Sequence, residues 1–363
     1  MQLAVVLCAI LRLSCSYPSD SGQRDLVELD RVWQYMKAYS LYQSHVPSRQ
    51  QALQFSDPYS LLDTIPDTLY SYQEDTTIRL AGYAPNCWGP GGIGKALSKG
   101  SRTAELVQKG SVWFALLTPG IAYMRIDSFV YEERTDNKTQ LHIQQFNTEI
   151  ANVNNLILDL AVNPGGSLDA CTASIELFLP AGKQYLNTTY RKAVQTTGDT
   201  GTVANEIWTS RRDLDKWENK NIVVIISGNT ASAAEIMAIA LRDALGAGSV
   251  RLLGQRSYGK AIGQYTFCFW RTSSAYLQLT GFRFYSIAGQ AYDYHEKGIA
   301  PDDSVAGSYV NFIYAAGEKF MPGFSTSVDT SLVNSLYGTK AAAIPRMIPR
   351  CYRSIPEAEH PLF

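Results

Sequence analysis

Ile222-Val223-Val224-Ile225-Ile226-Ser227-Gly228-Asn229-Thr230-Ala231-Ser232-Ala233-Ala234-Glu235 is the stretch from which the architecture follows. Its first five residues are continuously apolar and β-branched, the pattern of a strand covered on both faces. Ser227 to Ala231 are small, turn-forming residues, and from Ser232 a helical pattern runs to about Leu245. A buried strand feeding a helix through a short turn is the unit of an α/β core. The same texture recurs upstream. Leu156 to Leu160 form a second apolar run, then Asn163-Pro164-Gly165-Gly166 and a helical pattern after Ser167. Val112–Leu117 and Ile121–Ile126 flank Thr118-Pro119-Gly120 and read as a hairpin. Alternating strands and helices predict right-handed crossovers in an α/β sheet.

Ser232 stands past the carboxyl end of a buried strand, where α/β sheets place their sites, and the helix N-terminus offers N–H groups to a negative oxygen. Ser232-x-x-Glu235 is equally a capping box, which requires no function. Tyr258-Gly259-Lys260-Ala261-Ile262-Gly263-Gln264 supplies the complementary group. A lysine packed among glycine and apolar residues loses hydration, which lowers its pKa and lets the neutral amine accept a proton. A hydroxyl is a weak nucleophile until an adjacent base takes its proton. Gln264 either orients that lysine or is an ordinary polar strand residue. The Gly165-Gly166 turn lets backbone amides approach an oxyanion, with the Ala233 amide as second donor. Its plain alternative is a strand-to-helix turn.

Taken together, residues 112–303 resemble the catalytic domain of the carboxyl-terminal processing (tail-specific) serine peptidases, whose core is crotonase-like, a ββα spiral. Thr230-Ala231-Ser232-Ala233-Ala234-Glu235, Tyr258-Gly259-Lys260 with Gln264, Leu158-Asp159-Leu160 with Asn163-Pro164-Gly165-Gly166, and Gly298-Ile299-Ala300-Pro301-Asp302 match that family in order. The resemblance implies Ser232 as nucleophile, Lys260 as general base, Gln264 as its support, and neither cofactor nor metal. Val32–Tyr42 and Phe55–Tyr59 resemble the helical N-terminal unit of bacterial members. Three departures stand out. Ala161 and Val162 occupy positions where the family has arginine, so an ion pair is expected to be lost. Ala234 replaces the second serine of the motif. The window for a PDZ domain is too short, so that domain is expected to be vestigial or absent.

The expected organisation is a signal peptide over 1–16, a helical N-terminal unit over 25–80, and a connector or vestigial PDZ segment over 81–111. A catalytic domain over 112–320 and a C-terminal extension over 321–363 follow. Leu3 to Leu11 are apolar, too few to span a bilayer, and end in Ser14-Cys15-Ser16, as an export signal does. A secreted or periplasmic location follows from it. Cys15 as a lipid anchor is disfavoured by Arg12. A formal net charge of −1 provides no electrostatic footprint for nucleic acid. Cys87, Cys171, Cys268 and Cys351 permit two disulfides in three connectivities, or buried thiols, and their spacing is unlike a zinc ribbon. Asn137-Lys138-Thr139 and Asn187-Thr188-Thr189 are glycosylation sequons.

Weaker matches carry little. Gly89-Pro90-Gly91-Gly92-Ile93-Gly94-Lys95 has phosphate-loop spacing, but Ala96 replaces the magnesium-binding hydroxyl. His295 is a minor alternative base to Lys260. The expected function is an exported serine endopeptidase that cleaves protein substrates through a Ser232–Lys260 dyad. Its rival is a catalytically silent peptide- or ligand-binding protein on the same fold. No motif sets an oligomeric state.

Overall fold

A computed structural model describes residues 21–67, 72–75, 106–131, 138–149, 153–192, 202–211, 220–268, 275–287, 293–337 and 350–354. The expected signal peptide, the phosphate-loop match, Asn137 and most of the 81–111 connector lie outside them.

Helices α1 (Ser21–Tyr39), α2 (Arg49–Ala52) and α3 (Pro58–Leu62) precede strand β1 (Tyr72–Asp75). Then come β2 (Val107–Lys109), β3 (Val112–Thr118), β4 (Ile121–Ile126), α4 (Thr139–Glu149) and β5 (Asn155–Asp159). The middle of the chain forms β6 (Gly165–Ser167), α5 (Leu168–Ile175), β7 (Gln184–Lys192), β8 (Thr202–Thr209), β9 (Asn221–Ile226) and α6 (Ala233–Leu245). Strands β10 (Val250–Gly254), β11 (Ile262–Cys268), β12 (Ala275–Tyr285) and β13 (Asp303–Ser304) follow. The last described elements are α7 (Tyr309–Phe320), α8 (Phe324–Ser327), α9 (Thr330–Ser335) and β14 (Arg350–Ser354).

Two sheets result. One runs β13-β10-β9-β5-β4-β3-β2, with β13, β10, β9, β5 and β4 mutually parallel and β2–β4 antiparallel. The other runs β6-β14-β11-β12-β7-β8, with β1 added to β12. The apolar runs behave as their composition requires, because successive side chains of a strand point to opposite faces. Ile222, Val224 and Ile226 enter one hydrophobic cluster with α5 and α6, while Val223 and Ile225 enter a second with α7. The chain is thus an α/β core with helices on both faces of its parallel sheet.

The N-terminal helices are not a separate body. Leu29, Val32, Tyr35, Met36, Leu61 and Leu62 share one cluster with Phe267, Leu277 and Phe282 of β11 and β12. The Tyr35 ring stacks on Phe267 at 4.3 Å, and Tyr39 meets Tyr265 edge-on at 5.5 Å. Helix α3 ends at Leu62, ahead of Pro66, and residues 72–75 form a strand. Of the segment 321–363, expected as an extension, the described residues 321–337 pack on the core: Phe324, Leu332 and Val333 are buried in the second cluster.

Candidate active site

Both chemistry-bearing segments lie where the chain passes from one sheet to the other. Asp159 ends β5 in the parallel sheet, and six residues on Gly165 begins β6 in its neighbour. Gly254 ends β10, and Ile262 begins β11 across the same seam. A third element meets them there, the N-terminus of α6.

Ser232 caps α6 with φ 59° and ψ −120°, an unusual backbone conformation for a residue with a side chain. It is fully buried, and its hydroxyl oxygen has no hydrogen-bond partner among the described residues. A buried polar group left so is uncommon and asks for an explanation. The surrounding turn over-determines its backbone. Thr230 N–H donates to the Ser227 carbonyl (2.9 Å), Ala231 N–H to the Asn163 carbonyl (3.1 Å), and Tyr258 N–H to the Thr230 carbonyl (2.9 Å). Ser232 N–H itself donates to Glu235 Oε2 at 2.8 Å.

Glu235 is the junction of the site. Its Oε2 also accepts the Lys260 N–H at 2.9 Å, so one oxygen ties the Ser232 and Lys260 backbones together. Oε1 accepts the Gly259 N–H at 2.7 Å and the Ser257 hydroxyl. Burial pushes this carboxyl up to about 7, against the downward pull of all four donors. In the sequence Glu235 is the far end of a capping box and the last residue of the Thr230–Glu235 motif, with nothing to assign its carboxyl a role. Three of its donors are backbone amides, which leave no signature in a sequence.

Lys260 is buried at 1% exposure, and its Nζ donates to Gln264 Oε1 at 3.1 Å. A bulge between Gly263 and Gln264 reorients β11 at this point, and the amide of Gln264 stands 3.5 Å from Thr280 Oγ1. Gly259, at φ 97°, makes the approach possible, since a Cβ there would stand 2.7 Å from the Gly298 nitrogen. This contact gives the Gly298–Asp302 motif its place. Ile299 N–H donates to Ser257 Oγ at 2.7 Å, while Asp302 accepts the Leu252 N–H at 2.9 Å and pairs with Arg242 of α6 at 2.8 Å.

On the third side, Gly165 N–H is taken up by Asn163 Oδ1 at 2.8 Å, which leaves Gly166 as the turn's donor candidate. Gly166, at φ 134°, runs against the Phe129 backbone, where any Cβ would collide. Ala233 N–H belongs to the first turn of α6, whose amides lack intrahelical partners. Cys171 packs beneath as a buried thiol donating to the Ala233 carbonyl at 3.0 Å. The side chains of Cys268 and Cys351 lie outside the described residues.

His295 stands beside this site in a different role. Its Nδ1 accepts the Ala261 N–H at 3.3 Å, and burial holds its pKa below the usual histidine range. Beside Ala161 and Val162, where an ion pair is expected to be lost, Asp159 has partners from other elements. Asp159 accepts the hydroxyls of Tyr123 (2.7 Å) and Tyr337 and the Ala161 N–H (2.9 Å). The Arg125 charge acts on it from β4. Burial nevertheless raises the Asp159 pKa. Among the described residues, no group of His, Cys, Asp and Glu could hold a metal ion.

The model of Peptidase family S41 matches residues 120–305 of this chain. A carboxy-terminal-processing protease of Bartonella bacilliformis is 30% identical over 185 residues, 50% of this chain and 38% of that protein. A carboxyl-terminal-processing protease of Synechocystis is 29% identical over 227 residues, 62% of this chain and 47% of that one. The chain therefore spans less than half the length of these relatives. Among solved structures, a photosystem II D1 C-terminal processing protease superposes with a TM-score of 0.50 at 16% identity, covering 77% of this chain and 93% of its own. A lipoprotein from Streptococcus agalactiae gives the same score at 18% identity, covering 80% and 93%. These two likenesses concern the fold. With the match extending over half its length, through Ser232, Lys260 and the glycine turn, this chain belongs to Peptidase family S41.

Proposed function

We propose that the protein is an exported serine endopeptidase in which Ser232 is the nucleophile and Lys260 the general base. The observation that carries this reading is the buried Ser232 hydroxyl, without a hydrogen-bond partner among the described residues, on a residue at positive φ whose backbone N–H shares Glu235 Oε2 with the backbone N–H of the buried Lys260. Strained strand-to-helix turns that present a serine are a recurrent device of hydrolases. Ser232 Oγ attacks a peptide carbonyl as its proton passes to Lys260 Nζ, positioned by Gln264. The Gly166 and Ala233 amides stabilise the tetrahedral oxyanion. The proton then goes to the leaving amine, and water cleaves the acyl-enzyme by the same route in reverse. Protein substrates follow from the family, and export from residues 1–16. No helix among the described residues is long and apolar enough to cross a membrane.

Ser232→Ala should reduce hydrolysis of an unfolded protein by roughly a thousandfold or more, with an unchanged circular dichroism spectrum. Cleavage at the parent rate would remove Ser232 from the chemistry and leave the rival, a silent peptide-binding protein.

A further inference from the structure

Strand β14 enters its sheet between β6 and β11, parallel to both. Those neighbours are the two walls of the site. Arg350, Cys351 and Tyr352 pair with Gly165, Gly166 and Ser167, while Tyr352, Arg353 and Ser354 pair with Gln264, Tyr265 and Thr266. The Cys351 backbone therefore lies beside the proposed oxyanion donor. The next residue is registered against the glutamine that holds Lys260 Nζ.

Neighbouring strands stand about 4.8 Å apart, so β6 and β11 face each other across roughly 10 Å with one strand between them. Without that strand, each wall presents a row of backbone N–H and C=O groups to the same gap. A gap one strand wide, with hydrogen-bonding groups on both sides, accepts a single extended peptide. It recognises main chain before side chain. Two peptides cannot occupy it together. The present occupant also comes from outside the matched core: β14 begins 45 residues beyond the end of the family match at residue 305, whereas β6, β7, β8, β11 and β12 all lie within it.

We propose that residues 350–354 occupy the substrate slot of this chain as a built-in pseudo-substrate strand, which an extended peptide must displace before cleavage. The proposal rests on the peptidase reading of the same site and adds its substrate geometry and its regulation. Substrates bind as unfolded segments parallel to β6 and β11. A tethered strand competes at a millimolar effective concentration, so weakening it opens the site without altering Ser232, Lys260 or Gln264.

The test is the full chain carrying Cys351→Pro together with Tyr352→Pro. Consecutive N–H groups of a strand point to opposite sides, so the pair removes one donor toward each wall. Two measurements are made on parent and variant. One is hydrolysis of fluorescein-labelled unfolded casein, with Ser232 labelling by a fluorophosphonate. The other is amide hydrogen exchange at 165–167 and 264–266, with Val223–Ile225 of β9 as an internal standard of intact fold. The expected result is a tenfold or greater gain in kcat/KM and faster labelling, with exchange protection lost at both walls and kept in β9. Equal labelling and hydrolysis in both chains would leave the peptidase reading standing and overturn self-occupancy. Protection unchanged at both walls would overturn it as well. Labelling of Ser232 in neither chain, with protection lost in the variant, would sink the peptidase reading and this proposal with it.

Discussion

At the scale of single residues, Glu235 governs more of the site than the side chains with the better-known chemistry. A carboxyl buried without exposure resists ionisation, and its pKa rises from 4.5 to about 7. The sign of the consequence follows from proton binding. Between pH 4.5 and 7 the folded chain holds a proton that the unfolded chain has released, so stability falls as pH rises through that window. The full effect is about 3 kcal/mol. Comparing urea midpoints of parent and Glu235→Gln across pH 4 to 8 isolates it, because other titrating groups cancel in the difference. A difference that stays constant with pH would show that Glu235 does not titrate there. Glu235→Gln should also lower activity at every pH, because its amide nitrogen faces donors where an acceptor is required.

At the scale of elements, much of the core was legible. The apolar runs at 156–160 and 222–226 became β5 and β9, and the helix opening after Ser232 ends at Leu245 as its periodicity predicts. Periodicity reports burial, and these elements are defined by burial. The site's connections were not legible for the converse reason. They run through amides of Ser232, Gly259 and Lys260, which every sequence possesses. Nor does β6, three residues long, carry any pattern. Glycine is a partial exception, since it marks places where a side chain would not fit. Gly259→Ala forces a Cβ toward the Gly298 backbone at a positive φ. It should cost about 2–3 kcal/mol and displace Lys260. Thermal unfolding reads the first effect and peptide hydrolysis the second. A variant with parent stability would mean that the two glycine segments part without cost.

At the scale of the whole molecule, the sequence reading divided what the structure unites. Residues 25–80 carry their own helical pattern, yet that pattern cannot reveal that its apolar stripe lands on β11 and β12. Tyr35 tests the union. Its ring is 1% exposed and stacked on Phe267, so Tyr35→Ala should destabilise by about 3 kcal/mol. Fluorescence and circular dichroism should still report one coincident unfolding transition. A separate early transition confined to the helices would contradict the shared core. The position of the site at the seam between the sheets has one more consequence. Anything that lies between β6 and β11 is also a clasp, because β6 continues from one strand of the parallel sheet and β11 from another. A bound peptide there fastens both halves of the protein at once, so its affinity is added to the stability of the whole fold. Peptide libraries can therefore be ranked by melting temperature alone, using the Ser232→Ala chain that the proposed chemistry makes inactive.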